Sequence, residues 1–458
     1  MSQFSNLQHV RRTTPMGVRI LLLDTGAIIS PEAEAMLQAL QSRSNKGIEE
    51  HLEVLAKKGS QGFISTYYVN YGHKSIGDCG SITLFIEGGS MLVAKALQDW
   101  ELYNGQEGST RFMDFQFQPF RNILGSELGN KMLEEWRRFY VFATPLIESD
   151  LTRRFPRKEG EDEKTYEKAI KARAFDIVRG FLPAGAATNF SWHTTLRQAA
   201  DLLMRLRHHP LEEVREVADA IEDALNEKYP SSFGHKRYPE TEDFNREWMR
   251  RWYLEWSTDK VRYPNFRGSL GQFKPHLLTK YRDLLRMRPP KTELPKELAE
   301  CGNICTDFDL DFASFRDVQR HRAVHQRMPL LTDRFGFEPW YLGELPHEVT
   351  PLAIEVLELQ KERLRELLNA GEDENLVQYY QPMGYRIPNR ITGSLPSMVY
   401  LVELRATRFV HPTLRARALQ SGEFLKKELG FTGLKIHIDP DPDRFDIRRG
   451  QHDIVIKE

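Results

Sequence analysis

Cysteine is nearly missing from this chain: only Cys79, Cys301 and Cys305 occur in 458 residues. An odd, sparse set of this kind builds no disulfide scaffold and suits a reducing compartment, where the thiols serve as small buried side chains. An excess of one charge is missing too. Lys+Arg 64 against Asp+Glu 65 leaves a formal net charge of -1, so nothing in the composition attracts nucleic acid or an anionic membrane, and any anion site has to be local. Long apolar runs are absent: Ile20 to Leu23 is far too short to cross a bilayer, and no apolar core follows the arginines of Met1 to Thr14. These absences read as a soluble, cytoplasmic protein.

What is present is enough apolar material, 40% hydrophobic with 11% aromatic, to fill two ordinary cores. Val18 to Asp24 reads as a short buried strand. Ser30-Pro31-Glu32 then supplies an N-cap, a first-turn proline and an acidic first turn for a helix through about Leu40. Ile48 to Lys58 has helical apolar spacing and stops at Gly59, and Ser81 to Glu87 is β-branched and aromatic enough for a strand. Helices are expected at about Ser90 to Tyr103, Leu128 to Leu146, Tyr166 to Gly180, Leu196 to Arg207 and Leu211 to Lys228. The fold class is α/β (α+β).

Between about Ser231 and Asn265 the chain turns polar, and Trp248, Trp252 and Trp256 stand in an i, i+4, i+8 row. This stretch is the expected connector, with the tryptophans packed on both neighbouring lobes. Beyond it the pattern repeats. Cys79-Gly80-Ser81-Ile82 is echoed by Cys301-Gly302-Asn303-Ile304, an offset of 301 − 79 = 222. Leu206-Arg207 with His209-Pro210 is echoed by Leu404-Arg405 with His411-Pro412. Repetition in order at so long a period indicates duplicated domains rather than a solenoid. The expected lobes are residues 1–235 and 263–458, joined by 236–262, each with a β-sheet flanked by long helices.

Arg320-His321-Arg322 is placed on a helix from about Ala313 to Arg327, after a strand from Ile304 to Phe312. Two guanidiniums beside an imidazole make an anion-binding cluster or, equally, a solvated basic helix face. His321 and His325 have the i, i+4 spacing of metal ligands, but no acidic residue lies between them and the neighbouring arginines repel a cation, so no metal site is expected. In the first half, His73-Lys74-Ser75 precedes the strand and Glu107-Gly108-Ser109-Thr110-Arg111-Phe112 follows the helix. The backbone N–H groups near Gly105 and Gly108 could turn toward a phosphate, with Ser109 and Arg111 as further donors, or the loop could be a surface turn. Arg179 precedes Leu182-Pro183. Arg197 opens a helix, where a cation opposes the dipole and needs an anion or a carboxylate such as Asp201.

Taken in order, these pieces resemble the flavin-dependent thymidylate synthase family. Its pattern is H-x-S/T-x-x-E, then RHR, E-x-S-x-R-Y, R-x-x-L-P, a later helical arginine, and L-R followed by His. The first half matches with His73-x-Ser75 and Asp78, Glu107-x-Ser109-x-Arg111-Phe112, Arg179-x-x-Leu182-Pro183, Arg197, and Leu206-Arg207 with His209, but reads Gln98-Asp99-Trp100 where RHR belongs. The second half keeps Arg320-His321-Arg322, yet has Met328 to Asp333 for the loop and Gln378 and Pro396 for the later arginines.

The resemblance implies FAD as redox carrier and methylation of uracil C5 of dUMP, with methylenetetrahydrofolate and NADPH as co-substrates. By the same resemblance, Arg320, His321 and Arg197 are the catalytic candidates. His73, Ser75, Arg320, His321, Arg322, His209 and His411 are the cofactor candidates. Glu107, Ser109, Arg111, Arg179 and Arg197 are the nucleotide candidates. A homodimer of tandem chains would imitate the family's tetramer. The alternatives are a related flavoenzyme with another nucleotide or carbon donor, and a non-catalytic protein that binds flavin or nucleotide.

Overall fold

The computed structural model describes residues 9–24, 29–258 and 266–439. The protein is mixed α/β with two antiparallel four-stranded sheets. The first runs β1 (His9–Thr13), β2 (Arg19–Leu23), β3 (Ser81–Ser90), β4 (Ala187–Thr195). The second contains β5 (Phe266–Ser269), β6 (Asn303–Asp311), β7 (His325–Arg327) and β8 (Arg386–Ser394), in the order β5-β6-β8-β7.

Alternation along the strands makes the first sheet one-sided, whereas β6 of the second is buried on both faces from Thr306 onward. Ile20, Leu22, Ile82, Leu84 and Ile86 are all fully or almost fully buried, whereas Phe85, one position out of phase, is exposed. Ile304, Phe308 and Leu310 of β6 play the same part in the second sheet. A helix follows the long strand in each case, Met91–Gln98 after β3 and Phe312–Val318 after β6. Their N-caps, Ser90 and Asp311, accept from the N–H groups of Val93 and Ser314 at 3.2 and 2.9 Å.

Two compact units result, but they do not follow the expected division at 235 and 263. The first is Met1–Phe112 with Ala187–Glu255, and the second is Met113–Ala186 with Trp256–Glu458. The helices Glu127–Arg154 and Glu163–Val178, read from sequence as first-lobe elements, therefore belong to the second unit, and the connector helix Pro239–Thr258 belongs to the first as far as Glu255. The reason is visible in the contacts of the long helix: Trp136 is fully buried and donates from Nε1 to the carbonyl of Tyr380 at 3.0 Å. Gln360, from the Thr350–Asn369 helix, donates to the carbonyl of Met132 at 3.1 Å.

Within the second unit the two repeats meet about a local two-fold. Pro183 pairs antiparallel with Pro382, its counterpart at an offset of 382 − 183 = 199. Around this pair Ala184 N donates to Gln381 O at 2.9 Å and Met383 N to Leu182 O at 2.8 Å, then Gly185 N to Tyr379 O at 2.8 Å and Gly384 N to Gly180 O at 2.7 Å. Self-complementary pairing of this sort is what an isologous subunit contact looks like when both partners lie in one chain.

Other expectations met details that only packing decides. The cap at Ser30, the helix Pro31–Gln41 and the stop at Gly59, φ 64°, are as read. The helix expected from Ser90 to Tyr103 ends at Gln98. The tryptophan row does not pack as expected at Trp248, which is 45% exposed and stacks on Trp252 at 6.1 Å; the side chain of Trp256 lies outside the described residues.

Candidate functional site

In the first unit, the segment carrying His73 and Ser75 meets the helix that carries Arg197. Arg197 Nη1 pairs with Asp78 at 2.7 Å and its Nε with Asp201 at 3.4 Å, and Lys74 reaches Asp201 at 3.4 Å. The carboxylate that lets a cation stand at this helix start is thus mainly Asp78, in the acid position of the H-x-S motif, with Asp201 assisting. His73 and Ser75 are exposed. The His73 ring lies nearly parallel to Tyr67 at 6.4 Å and to Tyr71 at 6.1 Å, beside a π-helical stretch, Ile64–Asn70. Such π turns are frequent where a surface binds something.

The Glu107 loop does not form the expected phosphate cradle. It runs along the outer edge of β4 and its polar backbone is consumed there: Gly108 N donates to Asn189 O at 2.7 Å, Ser191 N to Gln106 O at 2.7 Å, and His193 N to Asn104 O at 2.7 Å. A side chain at Gly105 would put its Cβ 1.9 Å from the carbonyl oxygen of Ser191, so that glycine serves close strand approach rather than anion binding. Glu107 is buried and accepts from Gln98 Nε2 at 2.9 Å. Ser109 is half-buried and Arg111 exposed. The side chain of Phe112 lies outside the described residues.

In the second unit the helix ends at Val318, so Arg320-His321-Arg322 sits in the turn beyond it and not on a helix reaching Arg327. Its last carbonyls are taken by side chains from elsewhere. Gln326 Nε2 donates to Val318 O at 2.9 Å and to His321 O at 3.1 Å, and Arg405 Nη2 donates to Asp317 O. His325 belongs to β7, which removes the i, i+4 relation with His321. Among the described residues no three His, Cys, Asp or Glu side chains are grouped to hold a metal ion.

His321 is buried, while Arg320 and Arg322 are exposed. Arg405 Nε donates to His321 Nε2 at 3.0 Å, which makes that nitrogen an acceptor and leaves the ring proton on Nδ1. Burial, and then the Arg405 charge, push the His321 pKa down to about 3. The imidazole is therefore a neutral N–H donor flanked by two exposed guanidiniums. Arg405 is the residue that the motif assignment missed; its signal was the Leu404-Arg405 echo, used as a marker of repetition without a role.

Arg179 and His411 come together in the same unit, deep inside it. Arg179 Nη2 donates to Ser314 Oγ at 3.2 Å and lies 3.5 Å from Asp317. Asp311 accepts from Tyr341 and Thr413 hydroxyls, both at 2.7 Å. His411 Nε2 donates to the carbonyl of Asp176 at 3.1 Å, and its Nδ1 faces Ser314 Oγ at 3.0 Å. Burial, then the Arg179 charge, push the His411 imidazole well below its usual range. Burial alone would lower the Arg179 pKa too, but Tyr341 and the acidic groups Asp317, Asp176 and Asp311 outweigh it and hold the guanidinium charged. Both side chains are buried, with partners inside the fold. His209 is likewise buried, accepting from Leu211 N at 3.1 Å where the helix Glu212–Lys228 begins.

Comparison with known proteins agrees with the family resemblance. Residues 28–231 match the family described as thymidylate synthase complementing protein, a stretch that includes His73 through His209 and leaves Arg320-His321-Arg322 outside. A UPF0159 protein of Thermoplasma acidophilum is 24% identical, covering 87% of this chain and 92% of its own. One from Chlamydia muridarum is 25% identical over 76% of this chain and 75% of its own. Residues 28–231 are thus similar to the thymidylate synthase complementing family, within a longer chain that is similar along most of its length to the UPF0159 proteins.

Proposed function

We propose that the chain is a flavin-dependent thymidylate synthase-like enzyme that binds FAD and acts on C5 of a uracil nucleotide, dUMP in the simplest case, with methylenetetrahydrofolate and NADPH as co-substrates. The observation that carries this reading is the His321 cluster, a neutral imidazole fixed by Arg405 between two exposed arginines, in a chain whose first half matches the thymidylate synthase complementing family.

The residues fit a flavin in part. Arg320 and Arg322 supply exposed charge-assisted donors suited to a flat, anionic ligand, and the Nδ1–H of His321 supplies a neutral one. His73 with Tyr67 and Tyr71 offers an exposed aromatic surface. The buried Arg179, His209 and His411 do not fit as contacts. When bound, FAD supplies the two-electron redox chemistry. The chain's own part is positioning: Arg405 holds the His321 ring in one tautomer, and the arginines orient the anionic ligand while the imidazole polarises a carbonyl without giving up a full proton.

The test is titration of the full chain with FAD and with dUMP, followed by heat release of any bound flavin. A yellow protein with saturable binding of both ligands supports the reading. Failure to bind added FAD removes the flavoenzyme, and binding without turnover leaves the non-catalytic alternative.

A further inference from the structure

The second unit contains a cavity of about 470 Å³ at the start of β6, which the nucleotide reading leaves unused. Its floor is set by strand register. Ser269 of β5 pairs with Cys305 of β6, and Cys305 pairs with Thr392 of β8, so three small polar side chains stand in one row on one sheet face. Asn303, two residues earlier on β6, shares that face and also lines the cavity. The walls carry one charge of each sign, Lys274 and Glu300, both exposed. Neither side chain has an ion pair or hydrogen bond among the described residues.

The equivalent space in the first unit is closed. A Cβ on Gly80 would lie 2.4 Å from the carbonyl oxygen of Pro31, because the helix Pro31–Gln41 starts there. The strand position equivalent to Cys305 is Thr83 (305 − 222), whose hydroxyl bonds His193 at 2.9 Å.

We propose that this cavity takes a small zwitterionic thiol compound and that Cys305 is its point of covalent attachment. The Cys305 thiolate attacks one sulfur of a small disulfide R–S–S–R. The new Cys305–S–S–R bond forms as the old S–S bond breaks, and the departing R–S⁻ takes up the proton that Cys305 released. Lys274 meets a carboxylate of the compound and Glu300 its ammonium group. Selectivity comes from exposure: Cys301 lines the same cavity but is fully buried, and Cys79 donates from Sγ to the carbonyl of Ser75 at 3.5 Å, near Asp78 and Glu34, whereas Cys305 is half-exposed on the cavity floor.

The experiment uses oxidised glutathione as the probe on the full chain, with peptide mapping after quenching. The expected result is a single mixed disulfide at Cys305, reversed by dithiothreitol. Lys274→Gln should slow its formation by about fivefold, the order of one exposed charge pair, and leave the rate with uncharged hydroxyethyl disulfide unchanged. Adduct formation on Cys79 at a comparable rate, no adduct on the folded chain while the urea-unfolded chain is modified, or equal slowing of both disulfides by Lys274→Gln would each overturn the proposal. The wild-type map stands by itself, so the outcome does not depend on the folding of a variant.

Discussion

Gln98-Asp99-Trp100 and Arg320-His321-Arg322 occupy the same place in the two repeats, 222 residues apart (320 − 98), and they use it oppositely. In the first unit each side chain is answered locally. Gln98 bonds Glu107 at 2.9 Å, Asp99 pairs with Lys95 at 2.7 Å, and the indole of Trp100 donates to Gln198 at 3.1 Å. In the second, one buried ring is fixed from behind and the two flanking cations are exposed. The difference teaches that equivalent corners of two similar units can hold a locally bonded cluster in one and a buried ring between exposed cations in the other.

The largest effect should come from breaking a buried charge network in the second unit, set against a half-exposed one in the first. Arg179→Met leaves the buried Asp311 and the partly exposed Asp317 without their guanidinium and should cost about 3 kcal/mol, the low end for a broken buried pair because Asp317 can be hydrated. Arg197→Met removes a half-exposed pair and should cost no more than about 1 kcal/mol. Urea denaturation of both variants checks this; equal losses would mean that burial does not set Arg179 apart from Arg197.

Next in size, Arg320→Ala and Arg322→Ala should each weaken FAD or dUMP binding by roughly ten- to a hundredfold, as expected for one charge-assisted bond. Trp100→Ala in the first unit should leave both affinities within about twofold, because its bond to Gln198 serves the fold. Isothermal titration distinguishes the copies, and an equal effect in both would abolish the contrast.

A third test sharpens it by pH. His321 is held to a pKa of about 3 against an ordinary 6.5, so between these values the unfolded chain binds a proton that the folded chain refuses. The stability tied to the neutral ring is complete above the ordinary value and is lost as pH falls toward the lower one. His321→Gln should flatten the fall in unfolding free energy over that window, and Arg405→Met should raise the His321 pKa as followed by proton NMR. A His321 signal that titrates near its ordinary value in the wild type would contradict the Arg405 contact. The smallest effect belongs to the connector helix: Trp248→Ala should change stability by about 0.5 kcal/mol or less, because the ring is largely exposed.

Local chemistry carried most of the elements that sequence reading found. Ser30-Pro31 and Gly59 punctuate helices through their own backbone preferences, and alternation in Ser81 to Glu87 marks a one-sided strand. The RHR helix ends earlier than local spacing predicts because Gln326, eight residues on, and the remote Arg405 take the carbonyls that another turn would need. The burial of Arg179 was equally illegible, since Ser314 and Asp317 lie far along the chain. The allegiance of residues 113–186 to the second unit depends on contacts such as Trp136 with Tyr380, which no local pattern encodes. For the Glu107 loop the glycines were noticed, but their purpose, close approach to β4, is a tertiary fact.

The pairing of Pro183 with Pro382 has an evolutionary consequence. Where identical chains meet on a two-fold axis, one codon change alters both sides at once, so a charge introduced near the axis confronts its own copy. Where the two sides lie in one chain, each can vary by itself. Arg179 and Gln378, counterparts at 378 − 179 = 199, differ in this way: a cation stands on one side and a neutral amide on the other, each buried with partners of its own.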